Sequence, residues 1–153
     1  MSRLGVLAAT GFFLQCGWVA TAVSATCEPS SKTVFSCLTK TGKEIQVCDS
    51  GRTIDYAFGR PTQKPEIVIR AARETASTFQ WLGIGRSMSY SVEIPNRNVK
   101  YTVYWEVDRL DEEHPIDAGV MVERNGKQLA RVRCLDDDKL IQNIEGIDLK
   151  KSE

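Results

Sequence analysis

The sequence predicts an all-β fold, an antiparallel meander of about eight strands that closes into a small barrel or packs as a sandwich and is stapled by disulfides. Short segments of alternating apolar and polar residues follow one another along the chain, and turn sequences rather than long crossovers separate them. Four cysteines follow a leader-like first segment. At 153 residues the chain has room for one domain with its own core.

The first 25 residues have the pattern of a secretory signal peptide. Arg3 supplies a positive charge, residues 4–22 are mostly apolar, and small residues precede the predicted cleavage site after Ala25. Cleavage there leaves residues 26–153 as a single β domain in the periplasm or outside the cell.

Two alternatives to cleavage follow from the same segment. The apolar run approaches the lower limit for a membrane anchor. Cys16 would carry a lipid if a lipobox preceded it, but Gln15 stands where a small residue is usual. Cleavage predicts a mature domain free of the membrane. The balance of 20 basic and 20 acidic residues disfavours nucleic acid and acidic membrane surfaces as partners.

The remaining cysteines predict disulfides rather than a metal or redox site. They are Cys27, Cys37, Cys48 and Cys134, and an even number in an exported chain is typical of disulfide bonding. Zinc sites and thioredoxin-type redox sites use C-x-x-C spacing, which this sequence lacks. No metal and no cofactor is therefore predicted.

The first two predicted strands, TVFSCL and KEIQVC, form a hairpin whose turn carries Gly42. A turn centred just after Gly42 places Cys37 opposite Cys48, within reach of a cross-strand disulfide. Cys27 then bonds Cys134. Because a one-residue change of register turns a cysteine to the other face, a bond between Cys27 and either hairpin cysteine stays open.

The middle of the chain predicts four further strands, in which apolar residues recur at every second position or form a short run. PNRN joins the last two, which form the clearest hairpin of the sequence. A short helix over residues 70–78 would be compatible with either role of the connection that follows. The four strands are RTIDYAF at 52–58, EIVIRA at 66–71, SMSYSVEI at 87–94 and VKYTVYWEV at 99–107.

The last predicted hairpin comprises residues 116–123 and 127–134 around RNGK, because Asn-Gly is a strong hairpin signal. Its faces disagree, since Val120 shares a face with Arg131. Two arrangements fit, one with both faces partly covered and one with a β-bulge. Residues 138–144 predict a helical turn or a short final strand, and the DLKKSE terminus is expected to fray.

The connection at 74–90 is the most informative segment for function. About fifteen residues separate the flanking strands, which is long for a compact domain. The segment holds Phe79, Trp81, Ile84 and Arg86, and large aromatics with Arg are typical of protein-binding hot spots. These four residues are the predicted binding site for a protein partner. Alternatively, Phe79 and Trp81 fold inward and plug one end of a barrel.

Four stretches together resemble a group of small exported proteins of Gram-negative bacteria: FSCLTKTGKEIQVCDSG, YAFG, STFQWLGIGRSMSYSVEIPN and HPIDAGVMVERNGK. The resemblance implies a periplasmic location and no mechanism. FSC, a downstream glycine and the segment 87–90 with Trp105 are also similar to the periplasmic and membrane-bound inhibitors of C-type lysozyme, which are small disulfide-bonded eight-stranded barrels. Their inhibitory loop carries Ser-Gly-x-x-Tyr, whereas SMSY here lacks the glycine.

These features predict a non-enzymatic periplasmic binding protein, an inhibitor or immunity-type partner of a cell-wall-active enzyme. A second hypothesis is a carrier that holds an apolar small molecule inside a β-barrel. A third is a weak hydrolase that uses His114, the one histidine of the sequence. The sequence lacks the G-x-S-x-G motif of a nucleophile elbow, and its acidic clusters lack the spacing of a calcium loop.

Overall fold

The computed structural model describes residues 27–136 and 138–152. The predicted signal peptide, its cleavage site and Cys16 lie outside these residues. The strands are β1 (Lys32–Leu38), β2 (Glu44–Asp49), β3 (Thr53–Gly59), β4 (Ile67–Ala72), β5 (Ser77–Gln80), β6 (Ser87–Asn96), β7 (Val99–Asp108), β8 (Ile116–Arg124), β9 (Lys127–Arg133), β10 (Ile141–Gln142) and β11 (Lys150–Lys151).

The strands form two mostly antiparallel sheets in a sandwich-like arrangement. The five-stranded sheet has the order β10-β1-β2-β3-β4, and the six-stranded sheet has the order β11-β5-β6-β7-β8-β9. The all-β prediction is therefore confirmed. Within the described part of the chain the sheets do not close into a barrel, so the barrel alternative is wrong.

The space between the sheets is filled by side chains from both. Burying each large apolar side chain stabilises the fold by about 1.5–3 kcal/mol relative to leaving it exposed. The described residues do not form the closed barrel in which the carrier hypothesis places its ligand, and the carrier function itself stays a prediction. Fully buried members include Phe35, Ile45, Val47 and Ile54 from the five-stranded sheet and Val92, Ile94 and Val103 from the six-stranded sheet.

The four cysteines form two disulfides, but the favoured pairing is wrong. Cys27 bonds Cys48, and Cys37 bonds Cys134. The alternative that joined Cys27 to a hairpin cysteine is confirmed. The first bond holds the segment before β1 against β2. The second joins β1 of one sheet to the residue that follows β9 of the other, and the two bonds indicate an oxidising environment outside the cytoplasm.

The register of the β1–β2 hairpin explains the error. Leu38 pairs with Glu44, so the turn covers residues 39–43 and Cys37 lies opposite Ile45 instead of Cys48. Ile45 and Cys48 are three positions apart on β2. Because successive side chains of a strand alternate between its two faces, Cys48 lies on the opposite face from the one that a Cys37–Cys48 bond requires.

Two further differences concern short strands. The short helix considered over residues 70–78 does not form, because β4 continues into this range, a 3-10 helix covers only Arg73–Thr75, and β5 follows. The C-terminal residues form β11, which pairs in parallel with β5 rather than fraying. Each pairing satisfies backbone groups that a loop would leave to solvent.

Two open alternatives are decided by the strand pairing. A register shift between Val122 and Glu123 places Val120 opposite Val132 rather than Arg131, so the β-bulge in the last hairpin is confirmed. Within residues 138–144 the chain forms the short strand β10 and not a helical turn. No helix in the described ranges is both long enough and apolar enough to cross a bilayer.

Candidate functional site

Two loops leave the same end of the six-stranded sheet. Ser87, the first residue of β6, pairs with Asp108, the last residue of β7. The loop at residues 81–86 precedes β6, and the loop at residues 109–115 follows β7. The two loops are also joined directly, because the Arg109 backbone N–H donates a hydrogen bond of 3.0 Å to the Arg86 carbonyl. We call residues 81–86 and 109–115 the loop pair.

Trp81 anchors the first loop. Its indole packs against the core and is half-buried, and its Nε1–H donates a hydrogen bond of 2.9 Å to the Ile84 carbonyl. The Arg109 guanidinium lies over the ring, with Cζ 4.7 Å from the centroid. A cation–π contact of this kind contributes on the order of 0.5–1 kcal/mol. Trp81 therefore positions both loops.

Asp108 is the centre of a second set of contacts. Its Oδ2 lies 2.7 Å from the Nε of Arg86, and its Oδ1 accepts a 3.0 Å hydrogen bond from the Leu110 backbone N–H. The hydrogen bond from Arg86 holds the pKa of the Asp108 carboxyl below its usual value. The Nδ1 of His114 lies 3.1 Å from the Asp108 carbonyl oxygen. These contacts fix the geometry where the loops begin.

The loop pair exposes three large apolar side chains. The exposed fractions are 79% for Leu82, 83% for Ile84 and 72% for Leu110. Gly83 and Gly85 flank Ile84 with φ of 84° and 102°, which L side chains rarely adopt. The glycines thus give a narrow tip with an aliphatic side chain held away from the rest of the domain.

The structure brings together only part of the predicted binding site. Ile84 and Arg86 lie on the loop pair and are exposed. Phe79 lies in β5 on the outer face of the sheet, opposite Ser91, and is 46% exposed. The prediction that Phe79 and Trp81 both fold inward to plug a barrel is therefore wrong for Phe79, although Trp81 packs partly against the core.

Leu82 and Leu110 are exposed on the loop pair but are not among the predicted binding residues. Leu82 belongs to the glycine-rich LGIG stretch, and Leu110 is a lone aliphatic residue within the polar segment DRLDEEHP. In the sequence, each is an apolar residue at a position where a turn or a solvated loop is expected, and this mismatch is the signal that could have identified it. The sequence predicts Arg86 from its charge, and 63% of its side chain is exposed.

The hydrolase hypothesis depends on His114, and the metal alternative depends on the acidic clusters of the sequence. The Nδ1 of His114 lies within hydrogen-bond distance of the Asp108 backbone carbonyl oxygen, and this contact orders the loop. Among the described residues, no group of three or more His, Cys, Asp and Glu side chains is placed to hold a metal ion. No protein-family model, curated protein or solved structure matches this chain. Function is therefore inferred from the chemistry of the loop pair.

Proposed function

We propose that this protein is an exported, non-enzymatic binding protein that inhibits or neutralises a cell-wall-active enzyme through the loop pair. One observation carries the proposal: Leu82, Ile84 and Leu110 are exposed by 72–83% on two loops that a backbone hydrogen bond joins. Grouped exposure of large apolar side chains is typical of interaction sites. A folded domain gains no stability from leaving them in water.

The loop pair is ordered before any partner binds. The Trp81–Ile84 hydrogen bond and the Arg109–Trp81 contact lie within it, and the Arg86–Asp108 ion pair joins it to the end of β7. A preordered loop loses less conformational entropy on binding than a flexible one. Among the described residues the Arg86 side chain contacts only Asp108, through Nε, so its Nη groups can donate to a partner's carboxylate beside the apolar contact.

The convex shape of the tip favours a concave partner. A glycine-flanked tip that carries Leu82 and Ile84 matches a cleft with an apolar base, and the substrate cleft of an enzyme is such a surface. Occupation of that cleft would inhibit the enzyme. The two disulfides and the predicted signal peptide support a periplasmic location, where cell-wall enzymes act.

The test uses oxidised protein comprising residues 26–153. It is titrated against a panel of purified muramidases, lytic transglycosylases and amidases, and the residual activity is measured. We expect one-to-one inhibition of at least one enzyme by the wild type, and a loss of at least about tenfold in affinity for the Leu82→Ser/Ile84→Ser double variant.

Val68→Ser is the matched control, because Val68 is also an exposed aliphatic residue at 58% but lies on β4 of the other sheet. Inhibition must persist in this variant. Equal inhibition by the wild type and the double variant would place the contact surface elsewhere. Absence of inhibition across the panel would contradict the proposed class of partner.

A further inference from the structure

A cavity of about 590 Å³ lies where β1 begins and β2 ends, beside residues 143–148, which follow β10. This volume is within the range of small-molecule binding sites. We call it the end cavity. Of the described residues that line it, none belongs to the loop pair. Its lining includes Lys32, Val34, Asp49 and Arg73 on the side of the strand ends, and Ile147 and Asp148 from the segment after β10.

Two cations line the side of the strand ends. The Nε of Arg73 lies 3.3 Å and 3.4 Å from the two carboxylate oxygens of Asp49, and Oδ1 of Asp49 also accepts a 2.8 Å hydrogen bond from the Gly51 backbone N–H. These contacts fix the guanidinium through Nε alone. Among the described residues, no acceptor contacts the Nη groups of Arg73 or the Nζ of Lys32. Both side chains can therefore donate hydrogen bonds to a carboxylate in the end cavity.

The segment at 143–148 is held directly against β1. The backbone N–H of Asn143 donates a 2.8 Å hydrogen bond to the Val34 carbonyl, and its Nδ2 donates one of 3.0 Å to the Thr33 carbonyl. Val34 is only 3% exposed, and Ile147 packs against the core. The end cavity thus has an apolar base between two ordered sides.

The segment at 143–148 contributes an acidic group. Asp148 is exposed and lines the end cavity, and no ion pair joins its carboxylate to another described residue. Glu145 lines the cavity as well, but its carboxylate accepts a hydrogen bond from the Tyr90 hydroxyl. The acidic side chains of the described segments are not grouped closely enough to hold a metal ion. Asp148 is therefore better suited to accept hydrogen bonds from an ammonium group.

We propose that the end cavity binds a small zwitterion, namely a free amino acid or a short peptide with both ends charged. The carboxylate of the ligand accepts hydrogen bonds from Lys32 and Arg73, and its ammonium group donates to Asp148. A small apolar side chain of the ligand packs on Val34 and Ile147. A ligand with a single charge would use only one side of the cavity.

The experiment is an amide NMR titration of oxidised protein comprising residues 26–153. The probes are L-alanine, L-alanyl-L-alanine, and the same dipeptide with either its amino group acetylated or its carboxylate amidated. We expect saturable shifts at residues 32–34 and 143–148, with a dissociation constant on the order of millimolar for the dipeptide. Each blocked dipeptide should bind at least about tenfold more weakly, because it loses one set of charge-assisted hydrogen bonds.

The comparison of the dipeptide with alanine identifies the source of the zwitterion. A dipeptide that binds more tightly than alanine identifies a peptide end as the ligand. Equal or weaker binding of the dipeptide identifies a free amino acid.

Two variants separate the two charges of the ligand. Lys32→Gln is expected to raise the dissociation constant of the dipeptide about fivefold and to leave that of the amidated dipeptide unchanged, because the amidated form has no carboxylate. Asp148→Asn is expected to raise the constant of the dipeptide by about the same factor and to leave that of the acetylated dipeptide unchanged, because the acetylated form has no ammonium group. Arg73 is kept, since its loss would leave the Asp49 carboxylate without its ion pair.

Matched controls remove exposed charges that do not line the end cavity. Lys40→Gln, in the turn at the other end of β1, and Glu112→Gln, in the loop pair, must bind the dipeptide as the wild type does. Leu82→Ser/Ile84→Ser must also bind it normally, which separates this site from the loop pair. Disulfide mapping and thermal unfolding establish that each variant is folded.

Three results would overturn the proposal. The first is the absence of saturable shifts at residues 32–34 and 143–148 with alanine and the dipeptide up to their solubility. The second is a blocked dipeptide that binds as tightly as the unblocked one, which would show that one of the two charges is not recognised. The third is wild-type affinity for the dipeptide in folded Lys32→Gln and Asp148→Asn proteins.

Discussion

The β1–β2 hairpin buries its apolar side chains, whereas the loop pair exposes three of its own. In the hairpin, residues 34–37 and 45–48 are all buried, so both faces of each strand are covered, and each strand carries a disulfide cysteine. In the loop pair, Leu82, Ile84 and Leu110 face solvent. The β1–β2 hairpin thus stabilises the fold through burial and disulfides. The loop pair, which is attached to the folded domain, exposes its apolar side chains instead.

The largest expected effect is the loss of the disulfide that links the sheets. Cys37 and Cys134 are 97 positions apart, whereas Cys27 and Cys48 are 21 apart. The chain-entropy model assigns about 4.7 kcal/mol to the longer loop and about 3.4 kcal/mol to the shorter one. We expect Cys37→Ser/Cys134→Ser to lower the free energy of unfolding more than Cys27→Ser/Cys48→Ser, as measured by urea denaturation. The reverse order would show that strain or denatured-state structure outweighs loop length.

Next in size is the difference between the anchor and the tip of the loop pair. Trp81→Ala removes a half-buried ring and its contacts with Ile84 and Arg109, and should lower the free energy of unfolding by roughly 1–3 kcal/mol. Leu82→Ser should change it by less than about 0.5 kcal/mol, because the side chain is exposed. Urea denaturation of both variants measures the contrast. A comparable loss in Leu82→Ser would mean that the tip packs against the domain.

The smallest effect concerns the pH dependence of the Arg86–Asp108 ion pair. Arg86 lowers the pKa of Asp108 from its ordinary value of 3.8, so the pair stabilises the loop above that pH and the contribution is lost as the pH falls through the depressed pKa. Carboxyl NMR titration should show a higher Asp108 midpoint in Arg86→Gln than in the wild type. An identical midpoint in the two proteins would remove Arg86 as the cause of the shift.

Local patterning predicted most of the strands and part of the candidate site. The alternation in residues 87–94 and 99–107 and the Asn-Gly turn of the last hairpin depend on near neighbours, and the observed strands match them. Ile84 and Arg86 were predicted from loop composition. Leu82 and Leu110 were not, because exposure depends on which distant side chains cover a residue.

The sequence by itself determined the fold class and the presence of disulfides, because alternation and cysteine parity are local or compositional properties. Only the tertiary structure decided the pairing of Cys27 with Cys48, since the pairing depends on where the turn after β1 falls. It also decided that β5 and β11 are strands. Segments of two to four residues are too short to show a period, and such strands form only where another strand offers unpaired backbone groups.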